Sequence, residues 1–311
     1  MTTQVAALPR PIALPLAATQ VHGRRGMPRR RQIVLQLVCL AIAATVLFPI
    51  IWIVAMSLDP RDISRPDSLI PPGASLGAYA KVIARPTLND ISFLRIALNS
   101  VAIAVVISLA SVTIGAMAAY AFSRLKFRGR EFFMIAVLAV LMLPAVATIA
   151  PLFVQLNKFQ VGTVNLRASL IGVALAVTSS QLPFAIWNIK GYLDTIPREL
   201  EEAASIDGAG RFQTFVKVIL PLATPVLAVT AFFGFIAGWT EFYFSSVFLT
   251  GNTDLTTLAM ALNGMVGQYA ASTPWSQFAA FSVLVALPVS IVYLFLQRYI
   301  ISGLTVGGVK G

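Results

Sequence analysis

A chain of 311 residues with a formal net charge of +11 is 58% hydrophobic and only 11% charged, with a mean hydropathy of +0.83. Soluble domains carry roughly 25% charged residues, so this composition excludes a water-soluble globule and predicts an all-α integral membrane protein. One cysteine, Cys39, and one histidine, His22, exclude an internal disulfide, a Cys-based metal site, a histidine metal cluster and Ser-His or Cys-His catalysis.

Residues 1–31 carry Arg10, Arg24, Arg25, Arg29, Arg30 and Arg31 and no acid; they read as a disordered basic extension on the cytoplasmic side. A spanning helix needs about twenty apolar residues, and six segments qualify: 32–57, 96–122, 132–154, 168–188, 222–246 and 278–297. Together they form a transmembrane domain over 32–297. Pro49, Pro144, Pro151, Pro183 and Pro288 fall in or near these spans and read as kinks, since neighbouring helices re-satisfy the freed carbonyls. With the N-terminus inside, 16 of the 23 basic residues lie on the cytoplasmic side. The bias toward Lys and Arg inside therefore places both termini in the cytoplasm. The basic residues flank apolar runs and form no groove with interleaved aromatics, so no nucleic-acid partner is expected; membrane lipid is.

Between the fourth and fifth spans lies a polar, helix-compatible island, about 190–221. Pro197 suits a first helical turn, and Glu199, Glu201 and Glu202 follow where the helix dipole favours negative charge. Ile196, Leu200, Ala203 and Ala204 share one face at helical spacing. Asp207 and Gly208 end this helix, with Gly208 free to take the left-handed conformation. A second helix carries Phe212, Phe215, Val216 and Ile219 at i, i+3, i+4 and i+7, and Leu220-Pro221 leads into the next span. The plain reading is an amphipathic loop on the membrane surface. Such loops favour Lys and Arg on the polar face, whereas this one has five acids against four bases, which points to docking against a protein.

In the fifth span, Gly234 and Gly238 are spaced for close helix packing. Glu241 is the one acid well inside an apolar run and admits two readings, a group on a translocation path or a side chain reaching interfacial water. Trp239 has the same alternatives as path residue or interfacial aromatic. Ser180 in the fourth span serves a path or a helix–helix hydrogen bond equally well. The external segment 247–277 has no Lys or Arg, and its turn at Gly251 and its stretch from Asn263 to Gln268 read as an exposed ordered loop. The Gly-rich tail 298–311 ends GLTVGGVKG. It lacks the Gly-Lys-Ser/Thr of a phosphate loop, so no nucleotide site is encoded. Its glycines disfavour helix, leaving either a disordered end or, through Leu304 and Val306, a strand-like segment threaded between protein surfaces.

Glu202-Ala203-Ala204, three residues, Gly208, nine residues, Val218, one residue, Leu220-Pro221 resembles the cytoplasmic loop of the membrane subunits of binding-protein-dependent ABC importers, with Val218 in place of the usual isoleucine. The segments Asn188 to Tyr192 and Trp239-Thr240-Glu241, and the ending from Gln297 to Gly311, resemble carbohydrate-type permeases of the maltose/maltodextrin kind. The resemblance implies the type I importer permease fold in a bacterial or archaeal inner membrane, importing a sugar. It implies four partners: a second permease, two ATPase subunits and an extracytoplasmic sugar-binding protein. No cofactor is expected on this chain, with ATP and magnesium on the ATPase. Glu201, Glu202, Ala203, Ala204, Asp207, Gly208, Leu220 and Pro221 would dock the ATPase. Gly303, Leu304, Thr305, Gly307 and Gly308 would insert between the ATPase subunits, and Asn263 and Gln268 would face the binding protein. The competing class is an ion-coupled secondary transporter, which usually has several midplane charges and an internal repeat; this chain offers Glu241.

Overall fold

A computed structural model describes residues 28–162, 164–266 and 273–307. The chain divides into two units, Met1–Pro49 and Ile50–Gly311. Helix α1 (Arg29–Leu58) contributes its residues up to Pro49 to the first unit, where every described side chain is exposed. An apolar helix so exposed needs lipid or protein around it. The N-terminal extension before Pro28 lies outside the described residues.

The second unit is built on α3 (Phe93–Arg124), which follows a short external helix α2 (Gly77–Ala84). One stripe of α3 is buried, running Ile96, Asn99, Ser100, Ile103, Ala104, Ile107, Ser111, Gly115, Ala116, Ala119 and Ser123. Steps of three and four keep these residues on one face of a 3.6-residue helix. Leu94, Leu98, Leu109 and Met117 on the remaining surface stay exposed, as a lipid-facing side requires. That stripe packs chiefly on α6 (Leu170–Leu193) and α10 (Thr224–Trp239). Three apolar clusters form along it: Ile96 with Trp239 and Phe281, Ile103 and Ile107 with Val173 and Phe248, and Ala116 and Ala119 with Ile189, Phe215 and Ile219. Gly234 and Gly238 serve this packing. A Cβ added at Gly238 would lie 2.5 Å from the Ala104 Cα, and one at Gly234 would lie 2.9 Å from the Ser108 Cα.

Among the described residues, five helices are long and apolar enough to cross a membrane, and a sixth crossing exists only if a bent pair is counted as one. This corrects the expected uninterrupted third span. Helix α4 (Arg130–Leu141) stops, the chain turns by 102°, and it resumes through a 3-10 turn into α5 (Ile149–Asn157). Pro144 is a break, not a kink. It has no N–H and keeps Leu143 out of the helical region, and the amides of Met142 and Leu143 close back on Ala139 and Val140 three residues earlier. Pro183 and Pro288 sit inside continuous helices as expected, and Pro151 sits in the first turn of α5, where its missing N–H is harmless.

A two-residue hairpin, β1 (Gln160–Val161) and β2 (Val164–Asn165), links α5 to α6. After α6 come α7 (Glu199–Ile206), α8 (Arg211–Thr214), a π turn at Phe215–Ile219, α9 (Leu220–Leu222) and then α10. The fifth span is also interrupted, with α10 ending at Trp239 and α11 (Tyr243–Phe248) starting after a gap. Helix α12 (Leu258–Gly264) is external, and α13 (Trp275–Gly307) forms the last span. Helix α13 continues through Gly303, Leu304, Thr305 and Gly307, so the expected strand-like tail is corrected to helix over those residues. Gly308 lies outside the described residues. Helical hydrogen bonds propagating from an established span offset the poor propensity of two glycines.

Candidate functional site

The island 190–221 folds as a helical hairpin on the cytoplasmic side of the bundle. Glu199, Glu201 and Glu202 occupy the first turn of α7. Its far end closes in a Schellman motif: the Ala209 amide donates to the Ala204 carbonyl at 2.9 Å and the Gly208 amide to that of Ser205 at 3.1 Å. Gly208 has a φ of +85°, where any other residue is strained. The Gln213 side chain then accepts from the Gly210 amide at 3.3 Å and starts α8.

Leu220-Pro221 shapes the second arm. Pro221 has no N–H and its ring crowds the carbonyl four residues back, which widens the preceding turn to π geometry. The Leu220 amide accordingly donates to Phe215, five residues earlier. The extra residue per turn overturns the expected apolar face. Phe215 and Ile219 are buried, while Phe212 is 76% and Val216 40% exposed. Of the expected apolar face of the first helix only Ile196, just ahead of α7, is buried; Leu200 and Ala203 are exposed and Ala204 is half-buried.

Glu201 and Glu202 of α7 part company. Glu201 turns toward α3, where Tyr120 donates to its Oε2 at 3.1 Å and Arg124 donates to its Oε1. The Arg124 side chain is only 7% exposed. Glu202, Ala203 and Asp207 face outward, Ala204 and Leu220 are half-buried, and Pro221 is exposed. Beside them opens a cleft of 740 Å³ floored by the Arg124–Glu201 pair and rimmed by Lys126, Glu202, Ser205 and Ile206. Ile206 is 86% exposed. Exposed acidic Glu202 and exposed apolar Ile206 on the rim of this cleft, with Phe212 exposed on the neighbouring helix, make a surface suited to a protein with a basic, apolar-walled recess.

Tyr120, Ser123 and Arg124 carry no motif, and sequence reasoning counted Arg124 only as an inside charge. The available signal was a tyrosine and an arginine four apart, on one face at the end of a span. Ser123 donates to Asp194 at 2.6 Å, and Lys190 donates to the other carboxylate oxygen at 2.6 Å. Burial pushes the Asp194 carboxyl up, but the hydrogen bonds from Lys190 and Ser123 outweigh it and hold the group below the usual carboxylate range. A lowered folded pKa stabilises above the unfolded value of about 3.9 and ceases to as pH falls through the folded value. Asp194→Asn will therefore lower the melting temperature of the solubilised protein at pH 7, and the gap to wild type will close below about pH 3.9. A gap that widens on acidification would contradict this.

The three expected path residues occupy structural positions. Glu241 is buried, and its Oε1 accepts from the amides of Phe244 at 2.6 Å and Ser245 at 3.4 Å, capping α11 across the break in the fifth span. The Trp239 indole donates to the Val285 carbonyl at 3.0 Å and stacks on Phe235. The Ser180 hydroxyl folds back on its own helix toward the Ala176 carbonyl. Trp239 does share an external cavity of 360 Å³ with Thr240, Phe242, Leu262 and Asn263, which Ser180 does not line. Asn263 is exposed; Gln268 lies outside the described residues. Glu241→Ala will cost about 0.5–2 kcal/mol as a lost cap, and Glu241→Gln, which keeps an acceptor, less. Thermal unfolding measures both, and wild-type melting of Glu241→Ala would remove the cap assignment.

An apolar helical bundle of this kind, with a helical hairpin at one end, is the architecture of a multi-pass membrane protein. The chain belongs to the binding-protein-dependent transport system inner membrane component family, which its residues 111–306 match. It is 36% identical over 285 residues to the trehalose/maltose transport system permease protein MalG of Thermococcus litoralis, covering 90% of this chain and 98% of that protein. It is 32% identical to the trehalose transport system permease protein SugB of Mycobacterium tuberculosis, covering 85% and 93%. Among solved structures, a chain of a bacterial ABC transporter that imports the acidic polysaccharide alginate is similar with a TM-score of 0.71 and 25% identity, covering 87% of this chain and 96% of that one. The protein is thus a multi-pass inner-membrane permease of the ABC importer type.

Proposed function

We propose that this permease forms half of the translocation pathway for a sugar of the maltose or trehalose class. It works beside a second permease, on two ATPase subunits, and receives its cargo from an extracytoplasmic binding protein. The observation that carries the docking part is exposed Glu202, Ile206 and Phe212 on one hairpin whose turn is fixed by Gly208 and whose second arm is shaped by Pro221. A surface helix pair needs no such apolar crest unless another protein covers it. The sugar class is supported by the relatives, whose substrates are maltose, maltodextrin and trehalose by name. The end of α13 and the residues after it extend toward the same ATPase subunits in this reading. ATP and magnesium bind there, and this chain brings the hairpin and the pathway.

Reconstitution tests it. Proteoliposomes holding the complex purified with this chain, given binding protein and ATP, should accumulate radiolabelled maltose or trehalose. Uptake that needs no ATP and follows an imposed ion gradient would instead establish a secondary transporter.

A further inference from the structure

Helix α3 is gripped by buried polar side chains at both ends, and the two grips hold the two parts of the molecule that face partners. At the cytoplasmic end, Arg124 bonds Glu201 of α7 and donates to the Ile196 carbonyl at 2.8 Å. Tyr120 also holds Glu201, and Ser123 holds Asp194. At the external end, the Asn99 amide donates to the carbonyls of Asp254 at 2.8 Å and Thr256 at 2.9 Å. Ser100 accepts from the Leu258 amide, the start of α12, at 2.9 Å. Asn99 is 4% exposed and Ser100 fully buried. Between the grips α3 contains no proline and no break, and the 21 steps from Asn99 to Tyr120 span about 32 Å at 1.5 Å per residue.

Apolar contact alone would satisfy the packing of α3. Buried polar groups are costly unless satisfied and fix one geometry when they are. An arginine at one end and an asparagine at the other, each making two bonds to a separate segment, tie those segments to one rigid element. The fifth span, by contrast, is interrupted at 240–242, and the third is bent. Among the described residues, α3 is the helix reaching the hairpin that also makes hydrogen bonds to the external segment 254–258.

We propose that Arg124 and Asn99 are positioning residues that make α3 a single-piece link, carrying movement of the cytoplasmic hairpin to the external segment 254–264. The inference rests on the docking role of the hairpin proposed above. Coupling between sites is reciprocal, so cargo delivery at the external segment would bias the hairpin through the same residues.

The test uses the complex purified from its native membranes, with Cys39→Ser and one environment-sensitive fluorophore on Ser205→Cys in α7 or on Asn263→Cys in α12. ATP should change both signals in the otherwise unaltered complex. In Asn99→Ala the α7 signal should persist while the α12 signal falls by about fivefold or more; in Arg124→Gln, which also alters the floor of the docking cleft, the ratio of the α12 to the α7 signal should fall by about fivefold or more; the double variant should be no worse than either alone. Where Asn99→Ala fails to fold, Ser100→Ala removes one external bond and should lower the α12 signal less. An α12 response retained in Arg124→Gln overturns the link and leaves the docking reading standing. Absence of any ATP response at the α7 label in the unaltered complex overturns the docking reading itself, and the link with it.

Discussion

Gly238→Leu will leave little folded permease in the membrane. A Cβ at that position would sit 2.5 Å from the Ala104 Cα and 2.8 Å from the Ala104 nitrogen. Both are backbone atoms of the central helix, so no rotamer change relieves the contact. The neighbouring turn is fixed as well, because the Ser108 hydroxyl donates to the Ala231 carbonyl at 2.9 Å between the same two helices. Overpacking a close-packed site costs about 1–3 kcal/mol, and a leucine exceeds that because α3 and α10 must separate along their length. Gly238→Ala should destabilise by about that 1–3 kcal/mol, with Gly234→Ala milder, since its nearest approach is 2.9 Å. Thermal unfolding and the yield of monodisperse protein in detergent report the effect. Wild-type melting of Gly238→Leu would mean that the two helices are not in contact in the membrane.

Most of this architecture was legible from hydropathy and charge, and the reasons for the failures are specific. A twenty-residue apolar run reads the same whether Pro144 kinks it or ends it, because a hydropathy window averages across the break. The interruption at 240–242 was announced by Glu241, whose carboxylate was legible as an anomaly but not as a cap. Its partners are amides, which no residue pattern displays. Gly208 and Gly234/Gly238 were read correctly because each solves a local problem, a positive φ in one case and a close approach in the other. Val216 departs from the expected face because period 3.6 is blind to the π turn over 215–219, although Leu220-Pro221 was in view. The polar ends of α3 were invisible for a different reason. Arg124 meets Glu201 across 77 residues of sequence and Asn99 meets Thr256 across 157, and one sequence carries no sign of such pairings.

On the docking role proposed above, Glu202→Lys and Gly208→Pro will each abolish ATP-driven uptake, by different physical routes. Glu202 is exposed and makes no ion pair among the described residues, so its replacement should move stability by no more than about 0.5 kcal/mol and leave insertion unchanged. What it changes is the sign of the charge presented beside Ile206 and Phe212. A charge-assisted bond to a basic partner group is worth about 1.5–3 kcal/mol, and reversal replaces that attraction with repulsion between desolvated cations. Gly208→Pro acts on shape. Proline holds φ near −65° where +85° is needed, and it removes the amide that donates to the Ser205 carbonyl. The Schellman closure is lost, and α7 and α8 no longer meet at a fixed angle. Gly208→Ala separates the two effects, since it keeps the amide and costs about 1–2 kcal/mol for the left-handed conformation. It should weaken uptake without abolishing it. Uptake in proteoliposomes, measured alongside the amount of ATPase retained on the permease, distinguishes the routes. Glu202→Lys should lose the ATPase from an intact hairpin, and Gly208→Pro should lose it together with the ordered hydrogen exchange of 199–209. Normal uptake in both variants would remove the hairpin from the transport cycle.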